Sequence, residues 1–465
     1  MSNVLDLTDQ TLFLGERATE TTNVLQCIWV YDRAVDIDAL REFHHHLRRG
    51  RLCRRIERSP LPFARHRWVS PPDQSELEIV APGRPRSEID AWCSEQAAKR
   101  PDAECGAGWH LAMLPFAEGG AVISLVVTHC LTDGVGLCEA LADAAAGRDT
   151  AINWPAAASR RRWRALREDA RQTLRDTTDV GRAVVAAARL ARRSRDSPES
   201  TVEPTRVPAR EPTNRAAPPP GPETGITLPV TTIFIDADDF DTRAHSLGGT
   251  SNALLVGLAA HLGRRVGRVA ADGSVTVGML VNERTPGDTR ANAIANVDVV
   301  VDPVPVTTDL REIRSAIKQA LARHQEEPDE RWALLPLVPL IPKRVFKRML
   351  GVATGSSTTV VSTNLGAIDP DVNRPDGTKA DHFAMKSLYP GVTEATMHRT
   401  NGALVVASGR ALGRVFISIL AYELGRTNSN DELRELISGA LRDFSLTATT
   451  GWAPQRDAAL VPLTP

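Results

Sequence analysis

His129 and Asp133 stand four residues apart in SLVVTHCLTDGVGL (residues 124–137), where an apolar run gives way to a histidine, an aspartate and Gly134. These are side chains that do acid–base work, and imidazole is the one whose ordinary pKa lies nearest neutrality. Along 122–129, strand alternation puts Ile123, Leu125, Val127 and His129 on one face, and Val122, Ser124, Val126 and Thr128 on the other. His129 and Thr128 therefore point apart. Gly134 permits a tight turn, and VGLCEALADAAAG reads as a helix that begins just after Asp133, which places the aspartate in the turn rather than on the strand. Cys130 is adjacent to His129 on an extended chain and faces the other side, which suits a small buried residue rather than a nucleophile.

The elements that must position this pair are legible in outline. A chain of 465 residues exceeds one compact core and implies about two or three domains. With 42% hydrophobic and 24% charged residues and a net charge of −1, nothing global draws it to nucleic acid or to a membrane. The six cysteines are scattered without a CxxC pair, and no basic-then-apolar leader pattern opens the chain, which together read as a reducing cytoplasm. NVLQCIWVY (23–31) reads as a strand leading into the helix IDALREFHHHL. Its three consecutive histidines point about 100° apart and cannot converge on one ion, so no metal is expected.

Residues 159–196 carry about a dozen arginines against about four acids in a helix-compatible stretch. That is either a solvated face or a docking surface for acidic headgroups, a phosphate-bearing cofactor or an acidic carrier protein. The proline-rich stretch 197–225 reads as a linker. Beyond it, TSNALLVGLAAHLGRRVG (250–267) reads as a helix capped by Thr250 or Ser251, with Leu254, Leu255, Leu258 and Leu262 at helical spacing. Strand-like runs follow at SVTVGMLVN, NVDVVVD, STTVVSTNL and GRVFISILAYE, giving a second mixed α/β lobe. WALLPLVPLIPKRVF (332–346) is too short and too rich in proline to span a bilayer, and reads as a buried or interfacial segment.

No GxSxG elbow, Walker loop, GxGxxG after a strand, HExxH or paired-cysteine zinc pattern is present. HCLTDG (129–134) resembles the HHxxxDG motif of the acyltransferase superfamily that includes chloramphenicol acetyltransferase, nonribosomal peptide condensation domains, plant alcohol acyltransferases and bacterial wax ester synthase/diacylglycerol acyltransferases. Thr128 stands at the first histidine. Segments elsewhere look most like the wax ester synthase branch and polyketide-associated acyltransferases: LDLTDQTLFL near the start, GWHLAMLP with Trp109, TSNALLVGLAAHL with Asn252, MLVNERTPGDTRANAIANVDV with Arg284 and Asn296, and VVSTNLGAIDP with Thr363 and Asn364.

The resemblance implies an α/β fold of two chloramphenicol-acetyltransferase-like lobes, mixed sheets flanked by helices, with a tunnel between them. It divides the chain into an N-terminal lobe (1–150), an arginine-rich helix and linker (151–225) and a C-terminal lobe (226–465), with an exchange between lobes inside 352–395. His129 would be the general base for transfer of an acyl group from acyl-CoA to an alcohol, direct and without a covalent intermediate. Asp133 would pair with Arg284 to hold the turn. Backbone N–H groups near Gly134, or Thr363 and Asn364, would receive the oxyanion, with Asn252, Asn296 and Trp109 as further site candidates. Acyl-CoA would be a co-substrate, with no bound cofactor. Two other readings share the motif: a condensation-type enzyme fed by an acyl carrier protein to form an ester or amide, and a non-catalytic relative. Peripheral membrane contact is a further partner class. Ala253 in place of an acid, and the loss of Pro-Leu before Trp109, point away from long-chain wax or triacylglycerol synthesis and toward a specialised alcohol or amine acceptor.

Overall fold

The computed structural model describes residues 2–71, 75–196, 224–285, 287–326, 332–342 and 359–453. Its first half contributes α1 (Leu7–Thr19), β1 (Val24–Tyr31), α2 (Ile37–Leu47), the short β2 (Arg55–Glu57), β3 (Arg67–Val69) and β4 (Leu77–Ile79), then α3 (Ile89–Ala98) and β5 (Trp109–Pro115). β6 (Ala121–Thr128), α4 (Gly134–Ala145) and the long α5 (Arg162–Asp196) follow. The second half contributes β7 (Val230–Asp236), α6 (Ala237–Ser246), α7 (Ser251–Arg265), β8 (Val275–Asn282), β9 (Ile294–Val301) and α8 (Arg311–Glu326). β10 (Val360–Ala367), β11 (His382–Leu388), α9 (Glu394–Thr400), β12 (Ala403–Ala411), β13 (Arg414–Tyr422), α10 (Asn430–Asp443) and β14 (Thr449–Thr450) complete it.

Two mixed sheets result. The first runs β11-β1-β6-β5-β4, antiparallel except for the β4–β5 edge, and the second runs β14-β7-β13-β12-β10-β8-β9 with β10 parallel to both neighbours. Every residue of β1 and of β6 is buried, because helices cover both faces of the first sheet. That explains why β6 reads as a continuous apolar run and not as an alternating one. The two polar groups at its centre satisfy each other, Gln26 donating to Ser124 Oγ at 2.9 Å and to the Cys93 carbonyl at 2.8 Å. In the second lobe α6, α7, α8 and α10 bury a separate core, with Leu254, Leu255, Leu258 and Leu262 of α7 inside it and Thr250 as the cap that accepts from the Ala253 N–H.

The two lobes are joined by exchange. β11 leaves the second half of the chain and pairs antiparallel with β1, so that Cys27 lies opposite Met385 and Trp29 opposite Phe383. Phe383 then packs edge-on against Phe416 of β13, tying the first sheet to the second.

α5 is a single 35-residue helix anchored on the first lobe. Asp169 on its inner side is buried and takes hydrogen bonds from Ser59, Arg67 and Arg160. The stretch read as a linker falls at 197–223 outside the described residues, as do residues 343–346 of the apolar segment. The described part of that segment, Trp332–Leu340, is a 3-10 helix packed against α5 and α1 with none of its residues buried, so it is a surface layer and not core. Among the described residues, no helix is long and apolar enough to cross a membrane.

Candidate functional site

β6 ends at Thr128, one residue before His129 rather than at it. Thr128 still turns to the back of the strand, where its hydroxyl donates to Glu16 of α1 at 3.1 Å. Cys130 points the same way; burial, followed by the Glu16 carboxylate, holds its thiol well above the usual range, which removes the thiolate a nucleophile needs. His129 is left facing the space between the lobes, its own N–H held by the Asn23 carbonyl at 2.8 Å.

α4 starts at Gly134, and Asp133 is its N-cap, accepting from the Gly136 N–H at 2.7 Å. The other carboxylate oxygen accepts from Arg284 Nη2 and from the Ala293 N–H, each at 2.7 Å. Asp133 and Arg284 are both almost wholly buried, at 2% and 3% side-chain exposure. Arg284 also donates to the Arg290 and Ala291 carbonyls, so this ion pair joins the motif turn to the loop before β9 in the other lobe. Only glycine fits beside it: a Cβ on Gly136 would lie 2.8 Å from Arg284 Nη2.

Burial is the main influence on the His129 imidazole and lowers its pKa below the ordinary value; the Asp133 carboxylate, its own carbonyl and the Asn292 side chain oppose the shift. The ring is thus neutral at physiological pH. Its Nδ1 is buried without a well-formed hydrogen bond, and the residue lines a cavity between the lobes.

That cavity measures about 110 Å³ and is lined by His129, Asp133, Gly134, Val135, Thr363, Asn364, Lys386 and Tyr389 among others. Ligand sites commonly occupy about 300 to 1,000 Å³, so this one by itself is too small to enclose a whole ligand of that kind. A second space of about 330 Å³ shares Val135 and Leu365 with it, and a third of about 910 Å³ shares Ala367 and Ile368 with the second. The three form a succession along the α4 N-terminus and β10 between the lobes. Among the described residues, the N–H groups of Gly134 and Val135 at the start of α4 have no acceptor, as the first turn of a helix dictates.

Of the residues singled out from the sequence, His129, Asp133, Gly134, Thr363 and Asn364 line the cavity, and Arg284 lies against Asp133. Asn364 bonds the Gly366 N–H through Oδ1 and reaches Asn252 Oδ1 in the first turn of α7 at 3.5 Å, so Asn252 stands behind the wall. Trp109 is not in the cavity lining: it is buried in the first-lobe core, edge-on to His44. Asn296 is likewise absent from the lining; on β9 it faces Leu280 and donates to Asp298.

Asn292, four residues earlier, is the asparagine that reaches the motif, donating to the His129 carbonyl at 3.0 Å and to Asp9 at 3.1 Å. Sequence reasoning missed Asn292, Asp9, Glu16 and Arg54. Asp9 of α1 is fully buried, accepts from the Ala291 and Asn292 N–H groups, and is raised by burial to about 6 against the pull of Arg54. Glu16 is raised by burial to about 7. Arg54, lowered by burial to about 10, donates to the Leu131 and Thr289 carbonyls and lies over the Trp68 ring. No local signal marked Asp9, which stands in the polar run Thr8-Asp9-Gln10-Thr11 of α1.

No protein-family model matches the chain, and no curated protein sequence does. Solved structures match over nearly its whole length. The first condensation domain of the CDA synthetase is 14% identical with a TM-score of 0.55, covering 97% of this chain and 99% of that one. Polyketide synthase associated protein 5 from Mycobacterium tuberculosis is 15% identical with a TM-score of 0.52, covering 94% and 97%. The epimerization domain from the third module of tyrocidine synthetase B is 13% identical with a TM-score of 0.51, covering 96% of each. At such identities the likeness is one of fold: the chain has the two-lobed, condensation-domain-like α/β architecture.

Proposed function

We propose that the protein is an acyltransferase that moves an acyl group from acyl-CoA to an alcohol, with His129 as general base. The observation that carries this reading is a neutral imidazole set at the head of a cavity between two lobes, on a turn fixed by a buried ion pair to the opposite lobe. Nε2 takes the proton of the attacking hydroxyl as oxygen bonds to the thioester carbonyl carbon. The tetrahedral oxyanion lies toward the free N–H groups at the start of α4 or toward the Thr363 hydroxyl, and its collapse breaks the C–S bond while the imidazolium returns the proton to the thiolate. Holding both substrates in one narrow space supplies the positioning, so no covalent intermediate is needed.

A carrier-protein-bound thioester is the second reading, supported by a fold shared along the full length of condensation domains. The likeness to wax ester synthases rests on the sequence segments quoted above. Incubating the protein with acyl-CoA or an acylated carrier protein and a panel of alcohols and amines, with His129→Ala as control, separates these. His129-dependent product from acyl-CoA supports the first reading, and product only from the carrier supports the second. Tight ligand binding without turnover from either donor leaves a non-catalytic relative.

A further inference from the structure

The outer face of α5 has no role in acyl transfer, and its pattern is unusual for a solvated helix. Trp163, Leu174 and Val185 recur every eleven residues, which turns each about 20° from the last, keeps all three within about 40° on an α-helix and spreads them over about 33 Å. They are 82%, 69% and 51% exposed. Arg167, Arg171 and Arg189 fall in the same arc of roughly 80°, with Arg164, Arg175 and Arg182 along its edge. Of the acids whose side chains are described, Asp169 and Asp176 face the first lobe, and Glu168 and Asp179 are taken up by Arg164 and Arg182. Among the described residues, Arg167, Arg171, Arg175 and Arg189 have no carboxylate partner. Against this helix packs the apolar 3-10 segment Trp332–Leu340, none of whose residues is buried.

We propose that the α5 face is a docking surface for an anionic lipid bilayer, with Trp163, Leu174 and Val185 entering the interface and the arginines meeting the headgroups. The chemistry favours a lipid surface over an acidic protein. A small acidic partner would answer the arginines but leave an apolar line about 33 Å long partly uncovered, whereas a bilayer accepts apolar side chains and offers negative charge along the whole face. Exposed apolar residues interleaved with unpaired arginines are what an interfacial helix presents. The net charge of −1 makes this a local attraction, not a global one.

Co-sedimentation of the full chain with phosphatidylcholine vesicles, with and without phosphatidylglycerol, tests the proposal. Binding is expected with the anionic lipid, weakening as salt is raised. The triple variant Arg167→Glu/Arg171→Glu/Arg175→Glu should lose about a hundredfold or more in partition, since each arginine near an anionic surface adds several-fold. Trp163→Ala/Leu174→Ala should weaken binding while leaving the circular dichroism and melting curve unchanged, because both side chains are exposed. Equal binding to both vesicle types, binding untouched by either variant, or no vesicle binding at all would overturn it. So would arginine-dependent binding of an acidic carrier protein in the absence of vesicle binding, which would make the face a protein dock.

Discussion

Replacing Asp133 with alanine tests whether this carboxylate anchors the turn or takes part in chemistry. The side chain accepts three hydrogen bonds of 2.7 Å, from the Gly136 N–H, the Ala293 N–H and Arg284 Nη2, and is buried together with its cation. Removing one partner of a buried ion pair costs about 3 to 5 kcal/mol, because the remaining charge is left uncompensated. The lost helix cap would by itself cost about 1 kcal/mol. These contributions share one group and do not add, and Arg284 keeps the carbonyls of Arg290 and Ala291, so a loss of about 4 kcal/mol is expected. For a cooperative unit of roughly 200 residues that lowers the melting temperature by about 8 °C or more. Urea unfolding and calorimetry measure it. The double variant Asp133→Ala/Arg284→Met should recover part of the loss, since it removes the stranded guanidinium. Melting of Asp133→Ala at the parent temperature, or a double variant less stable than either single one, would refute the reasoning.

His129→Ala should keep the parent melting curve while its turnover falls by about 10² to 10⁴, as expected for loss of a general base; a large drop in stability would contradict the assignment. Because burial lowers the His129 pKa, the acid limb of kcat/KM should have its midpoint below the ordinary imidazole value of 6.5, and a midpoint at or above that value would count against the neutral-base reading. Glu16 has a folded-state pKa of about 7 against 4.5 for the free side chain, so its contribution to stability is complete below about 4.5 and is lost as pH rises through about 7. Glu16→Gln should therefore gain on the parent between pH 5 and 8 in urea midpoints; an unchanged difference would show that the carboxyl is not held protonated. Gly136→Ala places a methyl group 2.8 Å from Arg284 Nη2, and should destabilise the protein by displacing the guanidinium without altering any charge, which calorimetry beside Asp133→Ala would show.

Local rules were enough for the motif itself. The step from strand to turn to helix, the aspartate at the helix start and the opposed faces of Thr128 and His129 all depend on residues a few positions apart, where backbone periodicity and capping chemistry dominate. The same holds for the Thr250 cap and the apolar stripe of α7. Periodicity could not choose between two asparagines in ANAIANVDV. Asn296 lies inside β9 and faces Leu280, while Asn292 sits in the loop before the strand, where it reaches the His129 carbonyl.

The sequence by itself determined the pieces: a histidine at a strand end, an aspartate at the start of the next helix and a long arginine-rich helix, while the pairing of Asp133 with Arg284 was what the family resemblance implied. Tertiary structure alone decided which distant groups close around them. Asp9 and Asn292 meet across 283 positions, and Thr128 and Glu16 across 112. β11 crosses from one half of the chain to the sheet of the other. Burial, which lowers the His129 pKa and raises those of Asp9 and Glu16, belongs to no segment of the chain. It exists only when both lobes exclude water from the same small volume, which is why the basicity of the imidazole is a property of the fold and its position is a property of the sequence.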